Sequence, residues 1–182
     1  MATMKTGGMK KDKGLIRSLN RKGSKSGKGP AVTKATGTPS PSVCERCGAV
    51  FSRRTWRRDR KVTDSVLARA KWTACPSCKQ VAEGEYYGRV IIRGGYADEH
   101  EETIRQRILN VAGRAGFTQP QRRIVSISRD SGGLEVLTTS QKLAHRIVRE
   151  LTKAFRGKAS YAWSDTDGSL FAVWERNAGT SR

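Results

Sequence analysis

Little in this chain is equipped for covalent chemistry. It has two histidines, His100 and His145, in 182 residues, and neither has a cysteine or carboxylate at a spacing that marks a triad. No paired carboxylates announce a hydrolytic centre. The glycine pairs Gly7-Gly8, Gly94-Gly95 and Gly132-Gly133 lack the Gly-Lys-Ser/Thr that would follow a strand in a phosphate loop. The aromatic signature of an RNA-recognition-motif sheet is missing as well. These gaps point to a binding protein and away from an enzyme. Apolar residues make up only 36% of the chain, and no apolar run approaches the roughly 18 residues of a membrane-crossing helix. The length suits one or two small domains rather than a large enzyme core.

Acidic residues are scarce too: 16, against 36 lysines and arginines, for a net charge of +20. The excess is spread along the chain, +9 over residues 1–43, +5 over 44–85 and +6 over 86–182. So cationic a protein binds polyphosphate surfaces by releasing their counterions, with affinity that falls steeply as salt rises. An acidic membrane would compete for the role, but the basic tail offers no helix faced with Trp or Phe. Nucleic acid is therefore the favoured partner, with no membrane.

All four cysteines lie in two Cys-x-x-Cys pairs, Cys44-Glu-Arg-Cys47 and Cys75-Pro-Ser-Cys78, separated by twenty-seven residues. Each pair on a tight turn offers two thiolates, and together they fill a tetrahedral zinc site. Gly48 suits the left-handed backbone that follows such a turn, and Pro76 stiffens the second pair. Two disulfides, or a duplicated redox motif, are the other readings. No secretory leader is visible, and a reducing cytoplasm disfavours disulfides. Four cysteines without histidine leave no open position, so the expected cofactor is one structural Zn²⁺ in a cytoplasmic protein.

In chain order, residues 1–43 are rich in Gly, Lys, Ser and Thr, with Pro30, Pro39 and Pro41. That composition predicts a disordered basic arm that lies along phosphates through Lys10, Lys11, Lys13, Arg17, Arg21 and Lys22, with a short helix around Lys13–Arg21. Residues 44–84 form the four-cysteine unit, a small zinc ribbon. Between its cysteine pairs, Arg53, Arg54, Arg57, Arg58, Arg60 and Lys61 surround Trp56, a compact patch for a polyanion with a ring able to stack on a base or to close over the zinc. Thr63–Lys71 reads as a short helix with Asp64 near its start. Trp72 and Val81 are expected to pack beside the second pair.

From Glu85 the texture becomes that of a folded α/β unit, residues 85–176, ahead of a tail at 177–182. Glu85–Arg93 alternates as a strand, with Val90 and Ile92 on one face and Arg89, Ile91 and Arg93 on the other. Asp98 and Glu101 form a capping box at the start of a helix that buries Ile104, Ile108, Val111, Ala112 and Ala115 and ends at Gly116. Arg123–Arg129 and Leu134–Leu137 are strands around the turn Asp130–Gly133. Thr139 or Ser140 caps a second helix that buries Leu143, Ala144, Ile147, Val148, Leu151 and Phe155, with Gly157 just past its end. A last hairpin pairs Lys158–Ser164 with Ser169–Glu175. The fold class is α+β: a small four-cysteine zinc ribbon, then a ferredoxin-like βαββαβ unit with an extra C-terminal strand, its sheet antiparallel and both helices on one face.

The second helix carries Lys142, Arg146, Arg149, Lys153 and Arg156 within one arc opposite its apolar stripe, with Glu150 outside that arc. A solvated face ordinarily mixes signs at i,i+4. Five like charges favour contact with phosphate, and Arg89 and Arg93 offer a second basic strip on the open face of the sheet.

The run Gly133-Leu-Glu-Val-Leu-Thr-Thr-Ser140-Gln-Lys-Leu-Ala-His-Arg-Ile, closing on Phe155-Arg-Gly157, resembles the central α/β segment of the zinc-bearing export and maturation adaptors of the large ribosomal subunit, in eukaryotes and archaea. The order of cysteine pairs then α/β unit agrees, over roughly residues 44–176. The resemblance identifies the chain as a short, bacterial relative and points to the same four cysteines as ligands. It implies docking on the large subunit, on its rRNA and with ribosomal proteins as further partners, near the surface that handles tRNA. A monomer in subunit maturation, translational silencing or ribosome hibernation is the expected function. A DNA-binding zinc-ribbon regulator is the second reading, and a metal-dependent nucleic-acid enzyme the third.

Overall fold

The computed structural model describes residues 37–58, 62–130 and 132–179. The basic arm, with Lys10, Lys11, Lys13, Arg17, Arg21 and Lys22, lies outside the described residues, as do Arg60 and Lys61 of the patch. The rest is α+β, with two sheets and five helices among the described residues.

The first sheet is small. β1 (Ser42–Val43) runs into the first cysteine pair, and β2 (Val50–Ser52) and β3 (Thr55–Arg57) form a hairpin beyond it. A single helical turn, α1 (Asp64–Leu67), leads to β4 (Lys71–Trp72), and the strand order is β3-β2-β1-β4. The helix expected over Thr63–Lys71 is thus cut short. Lys71 and Trp72 instead pair in parallel with β1, the amide of Lys71 donating to the Pro41 carbonyl and that of Thr73 to the Val43 carbonyl. Hydrogen bonds to an existing strand outcompete an extra helical turn in so short a segment. Trp72 does not pack beside the second cysteine pair; it is 59% exposed.

A second difference reshapes this unit. Cys75-Pro-Ser-Cys78 is the first turn of a helix, α2 (Pro76–Glu83), and not a second ribbon turn. Pro76 occupies the first helical position, where its missing N–H is no loss and its fixed φ is already helical. Gly84, with φ +71°, ends the helix.

The second sheet has five strands in the order β6-β7-β5-β9-β8. β5 (Gly88–Arg93) leads into a short α3 (Gly95–Glu99) and then α4 (Glu101–Thr118). β6 (Ile124–Asp130) and β7 (Gly133–Thr138) form a hairpin; α5 (Gln141–Phe155) follows, then the hairpin β8 (Lys158–Trp163) and β9 (Leu170–Glu175). The capping box does not form. His100 breaks the chain between α3 and α4, and the Asp98 and Glu101 carboxylates both engage Arg129 of β6 instead. Gly116 is inside α4 and buried, not at its end. Ser140 does cap α5, its hydroxyl accepting from the Leu143 amide at 3.3 Å.

One edge of the sheet departs from a purely antiparallel ferredoxin-like order. The strand beside β5 is β9, in parallel register, and β8 takes the edge. The residues explain the choice. β9 alternates buried Leu170, Ala172 and Trp174, whereas β8 buries none of its residues, so the apolar strand takes the interior. Ile104, Ile108 and Val111 of α4 and Leu143, Ile147 and Leu151 of α5 close over Val90, Ile92, Val136 and Trp174. Each such side chain contributes roughly 1.5–3 kcal/mol by leaving water.

Candidate functional site

The four cysteine sulfurs lie within 4.8 Å of one another, and all four thiols are free of disulfides. The group could hold one metal ion. Local structure supplies its geometry. The Cys44 amide donates to the Ala49 carbonyl at 2.7 Å and the Gly48 amide to the Cys44 carbonyl at 2.9 Å, closing the knuckle around Gly48 at φ +68°. The second pair is presented by the first turn of α2, and the Cys75 amide donates to Cys44 Sγ at 3.2 Å. Burial opposes ionisation of Cys44, but the amides of Cys75, Cys47 and Arg46 outweigh it and hold the pKa at about 7. Burial pushes the thiols of Cys75 and Cys78 up, Cys78 to about 11. A bound cation is the charge that would hold such buried sulfurs as thiolates.

Trp56 is half-buried against this cluster, its ring 5.3 Å from that of Phe51 across the hairpin. The indole therefore forms part of the cover over the sulfurs. Arg57 and Arg58 follow it, and Arg53 and Arg54 form the hairpin tip.

One contact reaches the cluster from the other sheet. Arg123, just ahead of β6, donates from Nη1 to Cys78 Sγ at 3.1 Å. Its backbone is fixed by Thr139: the Arg123 amide donates to Thr139 Oγ1 at 2.9 Å and the Thr139 amide to the Arg123 carbonyl at 2.9 Å. Spacing gives no hint of this arginine, because only the pairing of β6 with β7 brings it to the sulfur. Arg123→Met keeps the stem and removes the N–H···S bond. It is expected to lower metal affinity about tenfold, the low end for losing an outer-shell partner. Competition with a chromophoric chelator reads this directly, and an unchanged affinity would show the bond to be idle.

The basic surface is more concentrated than the helix alone suggests. Lys142, Arg146, Arg149 and Lys153 are exposed on α5, and Arg122 from the loop before β6 joins them. Arg122, Lys142, His145, Arg146, Arg149 and Glu150 line a shallow basin of about 280 Å³. Glu150 thus borders the basin rather than lying apart from it, but its carboxylate is taken by Arg107 of α4 at 3.0 Å. Burial and then the charge of Arg146 lower the pKa of Arg122, and burial and then Arg149 lower that of His145. Arg156 is not on the helix face: it caps α5 with φ +60°, and its carbonyl accepts from the Trp174 indole at 2.8 Å. The strip on the open sheet face is neutralised, since Arg89 pairs with Glu135 at 2.5 Å and Arg93 with Glu175 at 3.1 Å.

The histidines lie in different surroundings. His100 stacks on Tyr96 with ring centroids 4.1 Å apart, and His145 packs against Tyr161 at 5.1 Å. No helix among the described residues is long and apolar enough to cross a membrane. No protein-family model and no curated protein matches the chain.

Proposed function

We propose that this chain is a zinc-clamped RNA-binding protein of the large ribosomal subunit, acting by binding and not by catalysis. The observation that carries the reading is the basin on α5. Arg122, Lys142, Arg146 and Arg149 converge there, and the one acid at its border is already held by Arg107. Like charges brought together at a protein surface repel unless an anion compensates, and a row of phosphates supplies that compensation at several points at once. Zinc is the metal that suits four cysteines. Bonds of about 2.3 Å to a tetrahedral ion set the sulfurs about 3.8 Å apart. The Cys47 and Cys75 sulfurs lie 3.8 Å from each other. A bound zinc would fix the knuckle, the hairpin and the start of α2 in one piece, with no part in turnover.

The ribosome as the source of the RNA is supported by the resemblance of residues 133–157 to the large-subunit adaptors, with the order of units the same. In this reading the protein docks as a cytoplasmic monomer near the tRNA-handling surface, during subunit maturation or on silenced, hibernating ribosomes. The test is co-sedimentation of the metal-loaded protein with purified subunits across a salt series. The parent is expected to pellet with the large subunit at low salt and to be released as salt rises. The triple variant Arg122→Glu, Arg146→Glu, Arg149→Glu should bind about 100-fold more weakly at 0.1 M salt, because each lost phosphate contact removes about 0.7–0.9 from the salt slope. Failure of the parent to pellet at low salt would sink the reading. A preference for duplex DNA over ribosomes in competition would replace it with a DNA-binding regulator.

A further inference from the structure

The hairpin that covers the metal cluster ends in a two-residue turn, Arg53-Arg54, between the paired residues Ser52 and Thr55. Both arginines have positive φ, +52° and +64°. In that left-handed region a Cβ crowds the backbone, and two-residue hairpin turns of this hand are ordinarily filled by Asn-Gly or Gly-Gly. Two long cationic side chains thus stand where the backbone favours glycine. Nothing local compensates: both are exposed, and neither has an acidic partner among the described residues. The support beneath them is firm. One residue pair below the turn, buried Phe51 and half-buried Trp56 face each other, and Trp56 rests on the cysteines. Strained backbone held over a rigid base is characteristic of a functional site, because the surrounding structure keeps what local preference would relax.

We infer that the Arg53-Arg54 turn is a preformed two-guanidinium clamp for neighbouring phosphates of a folded RNA. The inference rests on the RNA-binding reading above and deepens it, since the clamp belongs to the metal unit and the α5 basin to the five-stranded sheet. Guanidinium forks donate to phosphate oxygens in pairs, which lysine does not. A turn with both φ angles fixed, anchored through Phe51 and Trp56, presents the two forks with little backbone freedom left to lose on binding. The left-handed conformation is therefore retained for the ligand, against the preference of the chain.

The test replaces the turn with the residues its backbone favours, Arg53→Asn together with Arg54→Gly, in the metal-loaded full chain. This variant is expected to melt above the parent and yet to bind a labelled ribosomal stem–loop RNA more weakly. Two lost phosphate contacts lower the slope of log affinity against log salt by about 1.4–1.8, or roughly 30-fold in affinity at 0.1 M salt. Arg53→Lys with Arg54→Lys keeps the charge and the strained backbone, so it should retain most of the slope and show no gain in melting temperature. If the Asn-Gly variant binds with the parental affinity and slope while the parent binds RNA, the clamp is overturned and the RNA-binding reading stands. A parent that binds no RNA overturns both. An Asn-Gly variant that melts no higher than the parent removes the strain on which the clamp is argued, and the clamp with it.

Discussion

Replacing Cys75 with serine is expected to abolish metal binding and, with it, the folded state of the described residues between Ser42 and Glu83, while the five-stranded sheet still melts cooperatively. Cys75 is 1% exposed at the head of α2 and its Sγ lies 3.8 Å from that of Cys47, so the change strikes both cysteine pairs at once. The unit has little else to hold it. Its buried apolar side chains among the described residues are Val43, Ala49, Val50 and Phe51 besides Cys44, Cys75 and Cys78, with Cys47 and Trp56 packed alongside the sulfurs. A core that small cannot offset the ordering of some forty residues. Apparent binding energies of structural zinc are about 10–16 kcal/mol, which exceeds anything this packing supplies. Metal content by mass spectrometry should fall to zero, and amide exchange in β1, the hairpin and α2 should lose its protection. The same loss should follow chelation of the parent. Under the proposed RNA-binding role, RNA affinity should fall as well, because Arg53 and Arg54 stand on that hairpin and Arg122 adjoins the arginine that touches Cys78. Near-native melting of the metal-free variant would sink the account.

Trp174→Ala is expected to destabilise the α/β unit by about 3–5 kcal/mol, the usual range for emptying a buried tryptophan site. Whole domains are stable by only about 5–15 kcal/mol, so much of the reserve would go. Trp174 is fully buried in the interior strand β9, beneath α5. Its ring lies against Gly157, where an added Cβ would come within 3.0 Å of the indole. Its N–H donates to the Arg156 carbonyl at 2.8 Å, which secures the positive-φ residue that ends α5. Trp174→Phe fills most of the space but removes that N–H···O bond, and should cost less, about 1–3 kcal/mol. Urea midpoints at an unchanged slope would measure both. Equal midpoints for the alanine variant and the parent would mean that the tryptophan holds nothing together.

Much of this is legible in the residues. The spacing of the cysteines marks the four sulfurs that come together, because a Cys-x-x-Cys pair is a local device that needs no tertiary context. The apolar stripe of α5 and its Ser140 cap are local too, and both appear in the structure. The misses have a common cause, which is competition from distant partners. Asp98 and Glu101 have the spacing of a capping box, but Arg129 offers both a charged partner across the sheet. Lys71 and Trp72 leave their helix for β1. Arg122 and Arg123 carry no periodic signal of their own, and strand pairing delivers one to the basin and the other to a sulfur. Two of the differences do have a local signal. Pro76, followed by helix-forming residues and Gly84, marks a helix start and stop. Leu170-Phe-Ala-Val-Trp174 is apolar enough for an interior strand, which Lys158-Ala-Ser-Tyr-Ala-Trp163 is not.

The parallel pairing of β5 with β9 also sets a timetable for synthesis. β5 is made early, but the strand that completes its hydrogen-bonding edge is the last element of the sheet, with Gly88 aligned to Leu170 and Arg93 to Glu175. Contacts that bridge so much sequence form slowly and only after the intervening chain exists. The nascent domain therefore holds an open, apolar centre until the final hairpin has emerged, and the sheet is completed only by its last two strands.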